Sequence, residues 1–512
     1  VVARASIGRA AVLVAGLTGV STLLGFARDA VIAGIYGAGP ELDAYFVALG
    51  LANIVLGLLG TSLTRAATPV LSREAHGEEV CRGHRTFDVV LTGAVIAIGA
   101  LSVVLGLAAA PISRVLAPGL TGDAADLLVL LTRIILVTTV LVAATDLLAA
   151  LAQAHGVFRW GALQGVPFNL VMIAAAGLLG PRIGVVALAV GFVVGSLARL
   201  ALQLVPVVQH RWPLRPRLDA RSPGVREIAA LLPPLVVGQA ALNVNTLVDR
   251  AVASTVGEGA VSAVFLGWRL VNLPEMLVVA ALVAPLYPAM SAAAGEGAAG
   301  RARMRRLVHQ GLAVSLTLLG PVAAALLVAP QEVVTLAFGR GAFDDEAVRL
   351  TAVAVICFLP GLLALACRQV VVSACYAVGD TRGPVAIGLL AMVVNVVGDL
   401  TLAPVLGVAG IVAATSASLL VAAVLTGWLA AGRHRLVPLR DTGLLLGRSA
   451  AALVGAGVVA WLALRAVGPE LVLVRAVLAL VAAALAYQLV LALLRAPERF
   501  VALHVAQRFR RR

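Results

Sequence analysis

ALNVNTLVDRAVASTVGEGAVSAVFLGWRLVNLPEMLVVAALVAPLYPAMS, residues 241–291, decides the fold. Two apolar segments of membrane length flank a short Gly-Glu-Gly loop, and Asp249, Arg250 and Arg269 lie within them. A charge at the centre of a bilayer costs roughly 2.5–3.5 kcal/mol on insertion scales, so it persists with a partner or a task. The same pattern occurs earlier in the chain. Ala44, Asn53, Pro69 and Ser72 reappear as Ala263, Asn272, Pro288 and Ser291, each 219 positions later. Two similar halves that each carry intramembrane charge read as a transporter built from repeats.

Composition supports this. Of 512 residues, 61% are hydrophobic and 12% charged, with mean hydropathy +1.04. Ordinary soluble domains run at about 45–50% apolar and about 25% charged. The apolar runs last about twenty residues, as helical spans do, rather than the about ten alternating residues of barrel strands. The fold class is therefore all-α: a polytopic membrane protein of about fourteen transmembrane helices. Their starts fall near residues 9, 42, 87, 127, 160, 184, 229, 263, 307, 349, 384, 408, 444 and 471. The repeat divides them into an N-lobe over 1–215 (TM1–6) and a C-lobe over 216–440 (TM7–12). A C-terminal helix pair with a basic tail (TM13–14) then fills 441–512.

The net charge of +14 is carried by arginine, with no lysine in the chain. The excess sits in alternate loops: Arg82 and Arg85, Arg211 to Arg226, Arg301 to Arg306, Arg433 to Arg440, and the arginines from Arg508 onward. The intervening loops are short or acidic. Basic loops stay on the cytoplasmic side, which places both termini in the cytoplasm and makes nucleic acid the poorer explanation of the charge. No loop exceeds about thirty residues and no GxxxxGK[ST] run occurs, so neither an enzymatic domain nor nucleotide binding is expected. Asp344–Asp345 read as solvated loop charges. Cys81, Cys357, Cys367 and Cys375 lack metal-ligand spacing.

Two groups of residues carry the chemistry. Arg28 and Arg269, one from each half, offer planar forks of donors that match phosphate. With aromatic content of only 4%, such a cavity suits an anionic headgroup better than a lipophilic cation. Asp29 and Asp43 balance those arginines, and Asn53 and Asn272 add amides. In the second group Asn395 and Asp399 are four apart and share a helix face; Ile411 and Thr415 repeat that spacing on the following helix. With Asp249 they offer only oxygen ligands, as a hard cation such as Na⁺ prefers. An interhelical polar clamp fits the same spacing equally well.

The chain resembles the MurJ/MviN family of lipid II flippases in the multidrug/oligosaccharidyl-lipid/polysaccharide exporter superfamily. The resemblance rests on GFARDAVIAGIYGAGPELDAYFVA (25–48), LVDRAVASTVGEGAVSAVFLGWRLVNLP (247–274), FGRGAFDDEAVRLTA (338–352), CYAVGDTRGPV (375–385) and VNVVGD (394–399). It implies two six-helix lobes with a C-terminal helix pair, a central cationic cavity and alternating access. The implied cargo is an undecaprenyl-diphosphate-linked peptidoglycan precursor, moved from the inner to the outer leaflet of the bacterial cytoplasmic membrane. Arg28 and Arg269 match the family's cavity arginines. Asp249, Asn395, Asp399, the Ile411 carbonyl and Thr415 match its sodium site, with Na⁺ the implied coupling ion and no other cofactor. Two positions depart from the family: Thr22 and Gly57 stand where it carries arginines.

Partners implied are the lipid-linked muropeptide or glycan, membrane lipids and the cell-wall synthesis machinery, around a monomeric chain. Other readings remain open: a flippase for a different polyprenyl-diphosphate-linked oligosaccharide, a cation-coupled multidrug exporter, or a non-transporting envelope-assembly scaffold.

Overall fold

The computed structural model describes residues 2–76, 80–219 and 222–497, and every regular element among them is helical. In chain order these are α1 (Val2–Tyr36), α2 (Pro40–Val55), a π-helical turn (Leu56–Thr61), α3 (Ser62–His76), α4 (Val80–Leu107), α5 (Ala109–Leu116) and α6 (Asp123–Ala154). There follow α7 (Arg159–Leu163), α8 (Gly165–Ile183), α9 (Val186–Gln209), α10 (Pro223–Val256), α11 (Ala260–Ala294) and α12 (Gly297–Val328). The last six are α13 (Pro330–Ala337), α14 (Asp345–Ala377), α15 (Arg382–Leu406), α16 (Val408–Gly432), α17 (Leu439–Leu464) and α18 (Val472–Leu493).

Twelve helical stretches are long and apolar enough to cross a membrane among the described residues. One of them is the continuous run of α2, the π turn and α3; another joins α7 to α8. Helices α10 and α11, with 34 and 35 residues, extend about 50 Å at 1.5 Å per residue, more than the about 30 Å hydrocarbon layer. These fourteen match the apolar runs of the sequence one for one. The chain is a multi-pass membrane protein.

The breaks between helices follow from local chemistry. The α8–α9 turn rests on Gly184 (φ 59°, ψ −148°), and the α15–α16 turn rests on Gly407 (φ 63°, ψ −137°). That conformation is costly for any residue with a Cβ, and its recurrence at matching points gives the repeat a structural signature. Asp344 and Asp345 are exposed, as solvated loop charges are, and the Asp344 carboxylate also accepts from the Ala347 N–H at 2.9 Å and caps α14. A cap of this kind satisfies one of the orphan donors at a helix start.

Packing groups the helices into two compact units, Val1–Ser262 with Arg340–Phe343, and Ala263–Gly339 with Asp344–Arg512. In the first, α10 packs on α3 and the π turn, and α6 runs through the centre. Val70, Leu71, Phe87, Ile98, Leu136 and Leu147 build its core. The segment Arg340–Phe343 belongs to this unit because the Ala342 N–H donates to the Gly34 carbonyl at 2.8 Å. Two of the quoted sequence motifs thus meet backbone to backbone. In the second unit, α17 and α18 pack on α12 through alanines spaced one helical turn apart: Ala452, Ala456 and Ala460 on α17, Ala479 and Ala483 on α18. Small residues at that spacing let helix backbones approach closely in an apolar solvent. Tyr487 closes the contact by donating to the Leu316 carbonyl at 3.1 Å.

Candidate functional site

In the first unit Arg28 is held mid-helix on α1. Its Nε and Nη2 donate to Asp29 Oδ1 at 3.0 and 2.7 Å, and Nη1 donates to Asn169 Oδ1 at 3.2 Å. Asn169, on α8, donates in turn to the Ser21 carbonyl at 3.1 Å. Asp29 is 2% exposed, so the pair sits in low dielectric, where loss of one partner is expensive. These contacts engage three of the five guanidinium N–H donors; the remainder can address an anionic ligand. The Phe168 ring centroid lies 5.7 Å from the Arg28 guanidinium carbon and 5.4 Å from that of Arg199. Arg199 is paired with Asp146 at 3.9 Å. One aromatic ring therefore stands between two intramembrane ion pairs.

The other sequence candidates of this unit divide. Asp43 is buried, and its Oδ1 accepts from both the N–H and the hydroxyl of Ser262, at 2.7 and 2.5 Å. That carboxylate serves the first turn of α11. Asn53 is exposed. Thr22 turns back on its own helix, donating to the Thr18 carbonyl at 2.9 Å. Gly57 lies in the π turn, where a Cβ would stand 2.8 Å from Asn243 Nδ2. Asp249 is on α10 beside Arg250, whose guanidinium rests against the backbone of Gly50.

The second unit carries Arg269 and Asn272 on α11, both partly buried. The Asn272 amide donates to Glu275 Oε2 at 3.4 Å, and Glu275 is buried. Asn395 and Asp399 are 1% and 0% exposed, and Asn395 Nδ2 donates to Asp399 Oδ2 at 2.8 Å. On the facing α16 the Thr415 hydroxyl donates to the Ile411 carbonyl at 3.2 Å. Ser418 links the two helices, with hydrogen bonds to Asn395 Oδ1 at 3.2 Å and to the Thr415 carbonyl at 2.8 Å. The donor set is oxygen throughout, which fits a hard monovalent cation. Among the described residues no cluster of three His, Cys, Asp or Glu offers a site for a metal of another class. The five candidates are shared between the units: Asp249 in the first, the other four in the second.

The second unit also contains a groove of about 850 Å³ between α12, α14, α16 and α17. Leu316, Leu363, Trp428, Leu446 and Leu453 line it, and Arg368 is its one charged residue. The Arg368 Nη2 donates to the Pro384 carbonyl at 3.5 Å, while its buried Nε has no hydrogen-bond partner. Sequence reading missed the groove, Phe168, Glu275 and Ser418. Glu275 carried a signal, a lone carboxylate within an apolar run; the others depend on tertiary contacts.

A family model described as lipid II flippase MurJ matches residues 32–482. The chain belongs to the lipid II flippase MurJ family. Among curated MurJ relatives, lipid II flippase MurJ of Burkholderia cenocepacia is 28% identical over 418 residues, covering 79% of this chain and 80% of that protein. A probable lipid II flippase MurJ of Vibrio cholerae is 28% identical over 429 residues, with 80% of each covered. Among solved structures, a lipid II flippase MurJ in an inward closed conformation superposes with a TM-score of 0.79 at 18% identity, covering 94% of this chain and 99% of that one. An inward-facing multidrug resistance MATE family transporter follows at 0.65 and 17% identity, covering 82% and 96%. At such identities the likeness is one of fold.

Proposed function

We propose that this chain is a membrane transporter that moves lipid II, an undecaprenyl-diphosphate-linked peptidoglycan precursor, from the inner to the outer leaflet by alternating access. The observation that carries this reading is the groove of the second unit: an apolar channel of about 850 Å³ with a single guanidinium on its wall. An amphiphile with a long hydrocarbon tail and an anionic diphosphate needs both features, whereas a small lipophilic cation needs no arginine. Family membership supplies the cargo, and Arg28, held in a membrane-spanning helix, supplies a further cationic contact. Charged side chains kept inside the spans mark the path of a charged cargo.

Energy for the cycle comes from sodium bound by Asp249, Asn395, Asp399, the Ile411 carbonyl and Thr415. The cation biases one orientation through its differential affinity for the two states. The chain lies in the bacterial cytoplasmic membrane with both termini cytoplasmic, since its basic loops alternate in that sense. Translocation of labelled lipid II in proteoliposomes, with and without a sodium gradient, tests the assignment. Wild type should flip lipid II faster with the gradient, and Arg269→Ala should reduce flipping by at least about tenfold. Wild-type flipping by Arg269→Ala would remove the cationic site from the mechanism.

A second cargo, another polyprenyl-diphosphate-linked glycan, is favoured by one observation. Two positions where the family carries arginine are uncharged here, and both are committed to local packing: Thr22 to its own helix and Gly57 to Asn243. Folded protein that ignores lipid II yet moves a different diphosphate-linked glycolipid in the same vesicles would select this reading.

A further inference from the structure

Helix α10 docks on the rest of the first unit through paired glycines and polar side chains. A Cβ at Gly50 would overlap the Arg250 guanidinium, and one at Gly57 would stand 2.8 Å from Asn243 Nδ2. Gly50 and Gly57 are seven residues apart, and so are Asn243 and Arg250, in the opposite chain direction. Seven residues are about two helical turns, so both contacts fall on one antiparallel seam. One turn beyond Arg250 on α10, Ser254 meets the α5–α6 loop: its Oγ accepts from the Gly119 N–H at 3.3 Å, and a Cβ at Gly119 would overlap the Ser254 carbonyl. Beside Arg250 the seam encloses a cavity of about 10 Å³, lined by Val47, Ile54, Thr246 and Leu247 among others, room for about one water. The Arg250 Nη1 is buried there with no hydrogen-bond partner.

A charge this poorly hydrogen-bonded is costly in an apolar span, so a purely structural seam would do better with leucine. What Arg250 adds is direction. It neighbours Asp249, and successive residues of an α-helix are about 100° apart around the axis. Seating the guanidinium on the α2 backbone fixes the rotation of α10 and with it the azimuth of the Asp249 carboxylate.

We propose that Arg250 is a positioning residue whose seat on Gly50 orients Asp249 for its cation. This rests on the sodium reading of the function given above. It also accounts for Gly57: the position is used for close approach of α10, which a long side chain there would prevent.

Two measurements test it. In a cysteine-free background, Ile54→Cys and Leu247→Cys face the same small cavity, and a short bifunctional thiol reagent reads their proximity. Cross-linking should fall at least about fivefold on adding Gly50→Ala, and return to the Arg250→Ala level in Gly50→Ala/Arg250→Ala, because the clash needs both partners. Unchanged cross-linking in Gly50→Ala, or independent effects of the two substitutions, overturns the seam. In proteoliposomes, Arg250→Ala and Arg250→Gln should each weaken the apparent sodium affinity by about tenfold while retaining the rate at saturating sodium. Arg250→Gln keeps most of the side-chain volume and serves if Arg250→Ala fails to fold. An unchanged sodium response in both overturns the positioning role alone. A wild type that flips lipid II without any response to sodium overturns the sodium reading and Arg250's task together, and the cross-linking result still stands by itself.

Discussion

The two units share a chain plan and differ in what they enclose. Gly184 and Gly407 make the same positive-φ turn at matching points, yet the first unit holds the intramembrane ion pairs and the second the larger groove, about 850 Å³ against about 420 Å³. Arg28–Asp29, Asp146–Arg199 and Arg250 all lie in spans of the first unit. The groove of the second unit is about 850 Å³ and nearly free of charge. Duplicated helices therefore fix where backbones run, while the residues on their inner faces divide the task. On the reading proposed here, the groove of the second unit accommodates the hydrocarbon, while arginines of both units, Arg28 and Arg269, address the polar head.

The contrast breaks most readily at Arg28. Removing one member of a buried ion pair costs about 3–5 kcal/mol, because the other charge is left behind. Arg28→Ala should lower the thermal unfolding midpoint and cut lipid II flipping by about a hundredfold or more. The double variant Arg28→Ala/Asp29→Asn relieves the stranded carboxylate, so it should regain the midpoint without regaining transport. Flipping by that double variant at the wild-type rate would mean that Arg28 serves packing alone, and the first unit would lose its claim on the headgroup.

A smaller effect should separate head from tail in the second unit. Ala423 lines the groove from α16, and Ala423→Trp narrows it while leaving Arg368 in the chain. Flipping of the undecaprenyl substrate should fall about tenfold, while an analogue with a short prenyl tail should be much less affected. Equal losses for both would show that the groove does not discriminate tail length.

Much of this architecture was legible because an apolar solvent leaves few choices. A run of twenty apolar residues has to be a helix that satisfies its own backbone, and fourteen such runs became fourteen long helical stretches, two of them built from more than one element. The short-range parts of the site were legible for a similar reason: Arg28 and Asp29 are adjacent, and Asn395 and Asp399 are one helical turn apart. The rest depends on contacts that no local pattern encodes. Asn169 meets Arg28 across 141 positions and Ser262 meets Asp43 across 219. Asp43 looked like a counter-charge for arginine and turns out to accept hydrogen bonds at the start of α11. Gly57 looked like a missing arginine and marks a close helix contact. A glycine reports space, and space belongs to the tertiary structure.

The smallest predicted effect lies outside the spans, in the loops of the second unit, where the contrast in buried charge should vanish. Asp380 accepts from the Gly383 N–H at 2.9 Å, and its Oδ2 lies 2.6 Å from His434 Nε2 and 4.0 Å from Arg433 Nη1. The Gly383 hydrogen bond first, and then the His434 contact, hold its carboxyl below the ordinary carboxylate range. A depressed value means that the folded state prefers the ionised form. The stabilisation is therefore present above the unfolded-state value of about 3.9 and is lost as pH falls through the lower folded-state value. Asp380→Asn should lower the unfolding midpoint by about 1–2 °C at pH 7, and that difference should shrink as pH falls below about 3.9 and vanish below the folded-state value. A difference that does not shrink as pH falls below about 3.9 would assign the effect to shape or hydrogen bonding rather than to charge.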